Sequence, residues 1–218
     1  MQPNAHANDN APSNVDTIAV FDFDGTVTQY HSFWRFVMAN TSITKKLAGT
    51  GLIVRLLFDI KIKKKPLMLA REEFVRFFLR GFDAQKWRDK ATTFALEQLP
   101  QWITPEAKAR IEWHQSQGHR LALVSNSPVD YLVPWAKLYG FEHVAGSQFA
   151  EHNGQLTGEM QGNHCFGPEK VNQLEALINE RANTIVYAYG DSVGDRELLQ
   201  YADFAFYRNF STPGNLPW

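Results

Sequence analysis

Short apolar runs, set apart by helix-length segments, restrict this chain more than any other feature. Thr17 to Phe23 (TIAVFDF), Arg120 to Ser125 (RLALVS) and Thr184 to Tyr189 (TIVYAY) lack polar alternation, and each runs into a carboxylate, a serine or a Gly-Asp turn. Runs of this kind suit strands covered on both faces. Asp203 to Tyr207 (DFAFY) supplies a fourth, shorter strand. Thr104 as N-cap, Pro105 in the first turn and Gly118 after the last predict a helix feeding the second run. Further helices are predicted over Pro128 to Tyr139, Pro168 to Arg181 and Arg196 to Tyr201. Strands alternating with helices imply a parallel sheet between two helical layers.

Far more residues separate the first two strands than a crossover needs, and they hold eight of the sixteen phenylalanines. Such a segment is expected to form a small core of its own. Pro66 opens a helix ending near Arg80, and Asp83 caps another reaching Gln98. The prediction is therefore an α/β fold: a Rossmann-like three-layer parallel sheet core, residues 17–30 and 101–218, with an inserted helical cap, residues 31–100. Asn153-Gly154 predicts a β-hairpin within Gln148 to Gly162. Residues 1–16 are polar, lack the apolar run of a secretory signal and are expected to be a disordered tail. With 44% hydrophobic residues, 21% charged and a formal charge of -1, no global field recruits nucleic acid. The lone Cys165 excludes an internal disulfide, so a reducing, cytoplasmic setting is expected.

The carboxylates carry the chemistry. Asp22, Asp24 and Asp191 all fall at predicted carboxyl ends of strands, where a parallel sheet opens to its ligand crevice. Carboxylates gathered there call for a divalent cation, and hard oxygen donors suit Mg²⁺. In DFDGTVT, strand alternation would point Asp22 and Asp24 the same way, one to attack and the other to handle protons. Cleavage of a phosphate ester through a covalent intermediate needs that division of labour.

Four ordered motifs extend the argument: DFDGTVT, the strand LALVSNS through Ser125 and Asn126, Lys170 in CFGPEK, and GDSVGD from Gly190 to Asp195. In this order they resemble the haloacid dehalogenase superfamily of phosphatases, and more closely its phosphoserine-phosphatase-like branch with a helical cap. The resemblance implies that Asp22 attacks phosphorus and that Asp24 protonates the leaving oxygen and later activates water. It implies that Ser125, Asn126 and Lys170 hold the phosphoryl group. It further implies Mg²⁺ on the Asp22 carboxylate, the Asp24 main-chain carbonyl and Asp191, with Asp195 supporting the metal's waters. A fixed lysine beside a cation also fits the charge that builds on phosphoryl oxygens.

In phosphoserine phosphatases a glutamate follows the nucleophile by nine residues and meets the substrate's amino group. Here His31 stands there, a poor partner for an ammonium. The expected substrate is a small phosphomonoester, amino-acid-like or histidinol phosphate. The alternatives are a lipid phosphate, as in the related phosphatidylglycerophosphate phosphatases, transfer to a second hydroxyl by a phosphotransferase or mutase, or a binding module without turnover. Leu52 to Ile60, followed by KIKKK, is too short to span a bilayer and reads as a basic-ended cap helix, with peripheral membrane contact as its other reading. Trp34, Arg35, Arg71 and Arg80 are within reach of a substrate but indistinguishable from core or surface residues. Cys165 and His164 read as structural.

Overall fold

The computed structural model describes residues 15–213 and 216–218. Most of the expected tail thus lies outside the described residues, but Asp16 does not: it opens the first strand, β1 (Asp16–Phe21). The Arg120 guanidinium holds its carboxylate at 2.5 Å, which ties the start of β1 to the neighbouring strand. Four helices follow, α1 (Ser32–Asn40), α2 (Ile43–Lys61), α3 (Leu67–Leu79) and α4 (Ala84–Glu97). Then come α5 (Pro105–Ser116), β2 (Arg120–Pro128), α6 (Val129–Leu138), β3 (His143–His152), β4 (Gln155–Gln161), α7 (Pro168–Glu175), β5 (Thr184–Gly190), α8 (Arg196–Tyr201) and β6 (Phe204–Tyr207).

The sheet order is β4-β3-β2-β1-β5-β6, parallel except for the antiparallel β3–β4 pair. Because side chains alternate along a strand, β1 sends Ile18 and Val20 to one face and Ala19 and Phe21 to the other. The first face meets Leu174 of α7 and Leu198 and Leu199 of α8. The second meets the aromatic layer of the inserted helices and α6. The expected three-layer α/β core is therefore present, and β1 is buried at its centre between β2 and β5.

The inserted helices do not close a core of their own. Phe36 of α1 and Phe94 of α4 both pack on Tyr131 of α6, and Trp87 of α4 and Phe33 of α1 pack on Phe149 of β3. Two amphipathic helices cannot cover several aromatic rings by themselves, so the rings share the sheet's second hydrophobic layer. Helix α2 stands apart, because its one substantial neighbour is α3.

Turn and cap signals hold where local chemistry is strong. Thr104 and Asp83 accept from the N–H of Ala107 and Lys86. Asn153 (φ 50°) and Gly154 (φ 74°) take the paired positive angles of a two-residue hairpin. Some boundaries differ, and β2 runs to Pro128 rather than Ser125. Helix α7 stops at Glu175 rather than Arg181, and the Leu177 carbonyl is turned out to accept from Arg120. Strand β1 stops at Phe21, so Asp22 and Asp24 lie on the turn after it.

His114, on α5, is fully buried and was not singled out by the sequence. Its Nε2 lies 2.8 Å from the Tyr189 hydroxyl and its Nδ1 2.8 Å from Nδ1 of His119. Burial, with help from His119 and Arg110, lowers its pKa from 6.5 to about 3. Between those values the unfolded chain binds a proton that the folded chain refuses, so stability is full above pH 6.5 and falls as pH drops toward 3. The loss approaches about 1.4 kcal/mol per pH unit. His114→Gln is expected to flatten this slope in denaturant titrations at pH 6 and pH 4. An unchanged slope would mean that the carboxylates alone set the acid sensitivity.

Candidate active site

Strands β2, β1 and β5 are adjacent and parallel, so their carboxyl ends open at one place. β1 delivers Asp22, whose N–H still donates to the Tyr189 carbonyl at 2.9 Å as if the strand continued. The chain then turns back on itself, with Gly25 N–H donating to Thr28 C=O and Thr28 N–H to Phe23 C=O. Gly25 has φ +84°, and a Cβ there would lie 2.5 Å from Oδ2 of Asp191. Glycine is therefore required twice at this position, for the turn and for the approach of the β5 carboxylate.

Asp22 and Asp24 line the same cavity, and the Asp24 charge acts on Asp22. They have separate partners. Lys170 Nζ, on the first turn of α7, donates to Asp22 Oδ1 at 2.6 Å and to Asp195 Oδ1 at 2.5 Å. All three groups are buried. Burial pushes Asp22 up to about 7 against the pull of Lys170, and the nearby Asp195 and Asp24 charges add to the rise. For Lys170 burial works against the charge, but Asp22 and Asp195 outweigh it and hold the ammonium above the usual lysine range.

Asp24 is held by a different set of groups. Its Oδ2 accepts from Ser127 Oγ at 2.7 Å and its Oδ1 from the Ser32 N–H at 2.9 Å. Ser32 Oγ continues to the Tyr131 hydroxyl at 2.8 Å. This buried relay joins the ends of β1 and β2 to the starts of α1 and α6, and it fixes both Asp24 oxygens. Ser127 is the last letter of LALVSNS, and the extra residue in that motif was the available signal. Ser32 and Tyr131 left none.

Asp22, Asp191 and Asp195 offer carboxylate oxygens within 4.8 Å of one another. An all-oxygen anionic set of this size fits a hard divalent cation, which would offset the repulsion among the three. The hydrogen bonds divide the set. Asp195 Oδ2 already accepts from Ser192 Oγ at 2.9 Å, Ser192 N–H at 3.0 Å and Asp191 N–H at 3.2 Å. Asp191 engages the protein through its backbone, and among the described residues its carboxylate accepts nothing. Burial and the Asp195 charge raise its pKa.

Ser125 is buried at the end of β2, its Oγ accepting from Ser127 N–H at 3.3 Å. Asn126 follows, with its amide between Ser147 Oγ at 2.9 Å and Met68 Sδ at 3.4 Å. Both line a cavity of about 320 Å³ with Asp22, Asp24, Lys170 and Asp191. Arg71 of α3 lines it too, a residue the sequence could not separate from other cap arginines. It donates to Asn126 C=O at 2.7 Å and lies over the Phe33 ring, while its buried Nε has no acceptor among the described residues. Burial draws its pKa down to about 10, so it stays charged at neutral pH. His31 is exposed at the cavity mouth, whereas Cys165 is buried and its thiol is pushed up to about 12 by that burial, which keeps it protonated.

Comparison with known proteins now bears on this arrangement. The pattern of the haloacid dehalogenase-like hydrolases matches residues 19–200, which takes in all four motifs. The chain belongs to that family. Protein CicA of Caulobacter vibrioides is 28% identical over 194 residues, covering 88% of this chain and 86% of that one. A protein of unknown function from Bordetella pertussis has a similar fold, with TM-score 0.68, 20% identity and coverage of 88% and 89%. A substrate-bound phosphoserine phosphatase superposes with TM-score 0.58 at 16% identity, covering 88% and 85%. The family makes this chain a hydrolase, and its fold is one it shares with a phosphoserine phosphatase.

Proposed function

We propose that the protein is a Mg²⁺-dependent phosphomonoester hydrolase that works through an aspartyl-phosphate on Asp22. The observation that carries this reading is the asymmetry around Asp22. Lys170 holds one carboxylate oxygen, while the other accepts no hydrogen bond among the described residues, and Asp22 lines the cavity. A nucleophile needs such a fixed but uncommitted lone pair.

Asp22 would attack phosphorus as the bond to the ester oxygen breaks, with Asp24 giving its proton to the departing alcohol. Asp24 would then take a proton from water, whose oxygen attacks phosphorus, releasing inorganic phosphate and restoring Asp22. Ser127 and the Ser32 N–H keep Asp24 oriented through both steps. Lys170, Ser125 and the Asn126 amide would bind the phosphoryl oxygens. Mg²⁺ would be held by Asp22, Asp191 and the Asp24 main-chain carbonyl, with Asp195 steadying its surroundings because Asp195 is already saturated by hydrogen bonds. When bound, the ion would supply positive charge against the phosphoryl oxygens. A cytoplasmic setting belongs to this reading.

Phosphate release is the test, measured on aryl phosphates of graded leaving-group pKa. Stripping the metal with a chelator is expected to stop turnover, and Mg²⁺ to restore it. Asp24→Asn is expected to lower kcat by about 10²–10⁴-fold for alkyl phosphates and far less for nitrophenyl phosphates. An equal loss across the series would remove the acid role from Asp24. Phosphate recovered on an organic acceptor instead of as the free ion would identify a transferase.

A further inference from the structure

The reacting centre touches only the phosphoryl group, so the leaving group must be read from the cavity's outer wall. There the catalytic cavity meets a second one of about 410 Å³, an apolar groove between α1, α2 and α3. Phe33, Trp34, Leu67 and Arg71 line both. Beyond them the groove is walled by Ile53, Leu57 and Ile60 of α2 and Phe74 of α3. Among the described residues Arg71 is its only charged lining residue, and it sits at the junction, where a polar neck would follow a phosphate head.

The outer face of α2 is also apolar. Ile43, Leu47, Val54, Leu57 and Phe58 are each 51–69% exposed. They fall on one stripe of the helix, opposite the buried Gly49, Leu56 and Asp59. A stripe this long is unusual on a surface meant for water alone. It runs directly into Lys61, Lys63, Lys64 and Lys65. Lys63 pairs with Asp59 and Lys65 with Glu73, whereas Lys61 and Lys64 have no carboxylate partner among the described residues. An apolar stripe ending in uncompensated lysines is complementary to an anionic lipid surface. No helix among the described residues is long and apolar enough to cross a membrane, so α2 would lie on the surface.

From this geometry we infer that the substrate is a lipid phosphomonoester, its chain lying in the α1–α2–α3 groove while α2 rests on the anionic bilayer that supplies it. The inference rests on the hydrolase reading and narrows it. The small polar substrates expected from sequence leave both the groove and the stripe without a purpose.

Straight-chain alkyl phosphates from ethyl to decyl, kept below micelle formation and assayed with Mg²⁺, test the groove. Burying one methylene group shifts an equilibrium about fourfold, so even a half-open groove should raise kcat/KM by about 100-fold or more across the series. Leu57→Glu is expected to bring the decyl-to-ethyl ratio close to unity, while Leu96→Glu, an exposed leucine on α4, keeps it. Binding of the same esters to the Asp22→Asn protein, followed by tryptophan fluorescence, reads the groove without turnover. A flat series in both measurements overturns the inference, and if Asp22-dependent phosphate release persists the hydrolase reading survives it. Chain-dependent binding with no phosphate release from any ester supports the groove and defeats the hydrolase. The stripe is tested by sedimentation with vesicles: binding to phosphatidylcholine mixed with phosphatidylglycerol, not to phosphatidylcholine alone, and release by Val54→Glu are expected. A dimer in light scattering that Val54→Glu disperses would assign the stripe to a second copy of the chain and overturn the membrane part.

Discussion

Asp22→Asn is expected to lower kcat for phosphate release by about 10⁴-fold or more, the scale seen when a nucleophile that works within a concerted set is removed. The amide keeps the size of the carboxylate and can still accept from Lys170, so the cavity survives. What it lacks is the lone pair on a negatively charged oxygen. The fold should not suffer, because Asp22 carries a buried charge raised to about 7 and set against those of Asp195 and Asp24. The melting temperature should therefore hold or rise while turnover disappears. Acid-quenched enzyme from a phosphate-labelled substrate should carry label on the wild-type chain and none on the variant. Label retained by Asp22→Asn would move the nucleophile elsewhere.

The sequence revealed the parts of this molecule whose signals are local. Helix caps and the Asn153-Gly154 turn depend on a few neighbouring residues, and they stand where the letters predict. Asp22, Lys170, Asp191 and Asp195 come together because the ends of β1 and β5 and the start of α7 share one edge, which the order of the motifs implied. Arg71, Ser32 and Tyr131 were illegible for the opposite reason. Arg71 reaches the cavity, and Ser32 and Tyr131 join the relay behind Asp24, through packing between distant segments, and nothing in their own neighbourhoods marks them. The aromatic insertion misled because composition reports how much apolar surface needs cover but not what covers it. The Gly81 N–H donates to Leu156 C=O and the Leu156 N–H to Phe82 C=O, so the hairpin is stitched to the α3–α4 turn. Gly158 of β4 comes so near α3 that a Cβ there would lie 2.9 Å from the Arg76 backbone.

Lys170→Met is expected to cost stability as well as rate, and the two losses should respond differently to metal. Lys170 is 3% exposed and joins Asp22 and the fully buried Asp195. Removing one partner of a buried ionic cluster leaves the others unpaired, at about 3–5 kcal/mol. Methionine fills the space, so the cost should come from charge rather than from a cavity. In a chelator the deficit should be largest at neutral pH and should shrink as pH falls. Without the ammonium Asp22, already raised by burial, holds its proton still more tightly in the folded chain, and protonation stabilises a group whose folded pKa lies above its unfolded one. Mg²⁺ should raise the melting temperature of the variant more than that of the wild type, because the ion then replaces the charge that Lys170 supplied to Asp22 and Asp195. Turnover should stay low even in saturating Mg²⁺, by about 10²–10³-fold, since one fixed donor to the phosphoryl group is gone. Recovery of both stability and rate by Mg²⁺ would reduce Lys170 to a structural counter-ion.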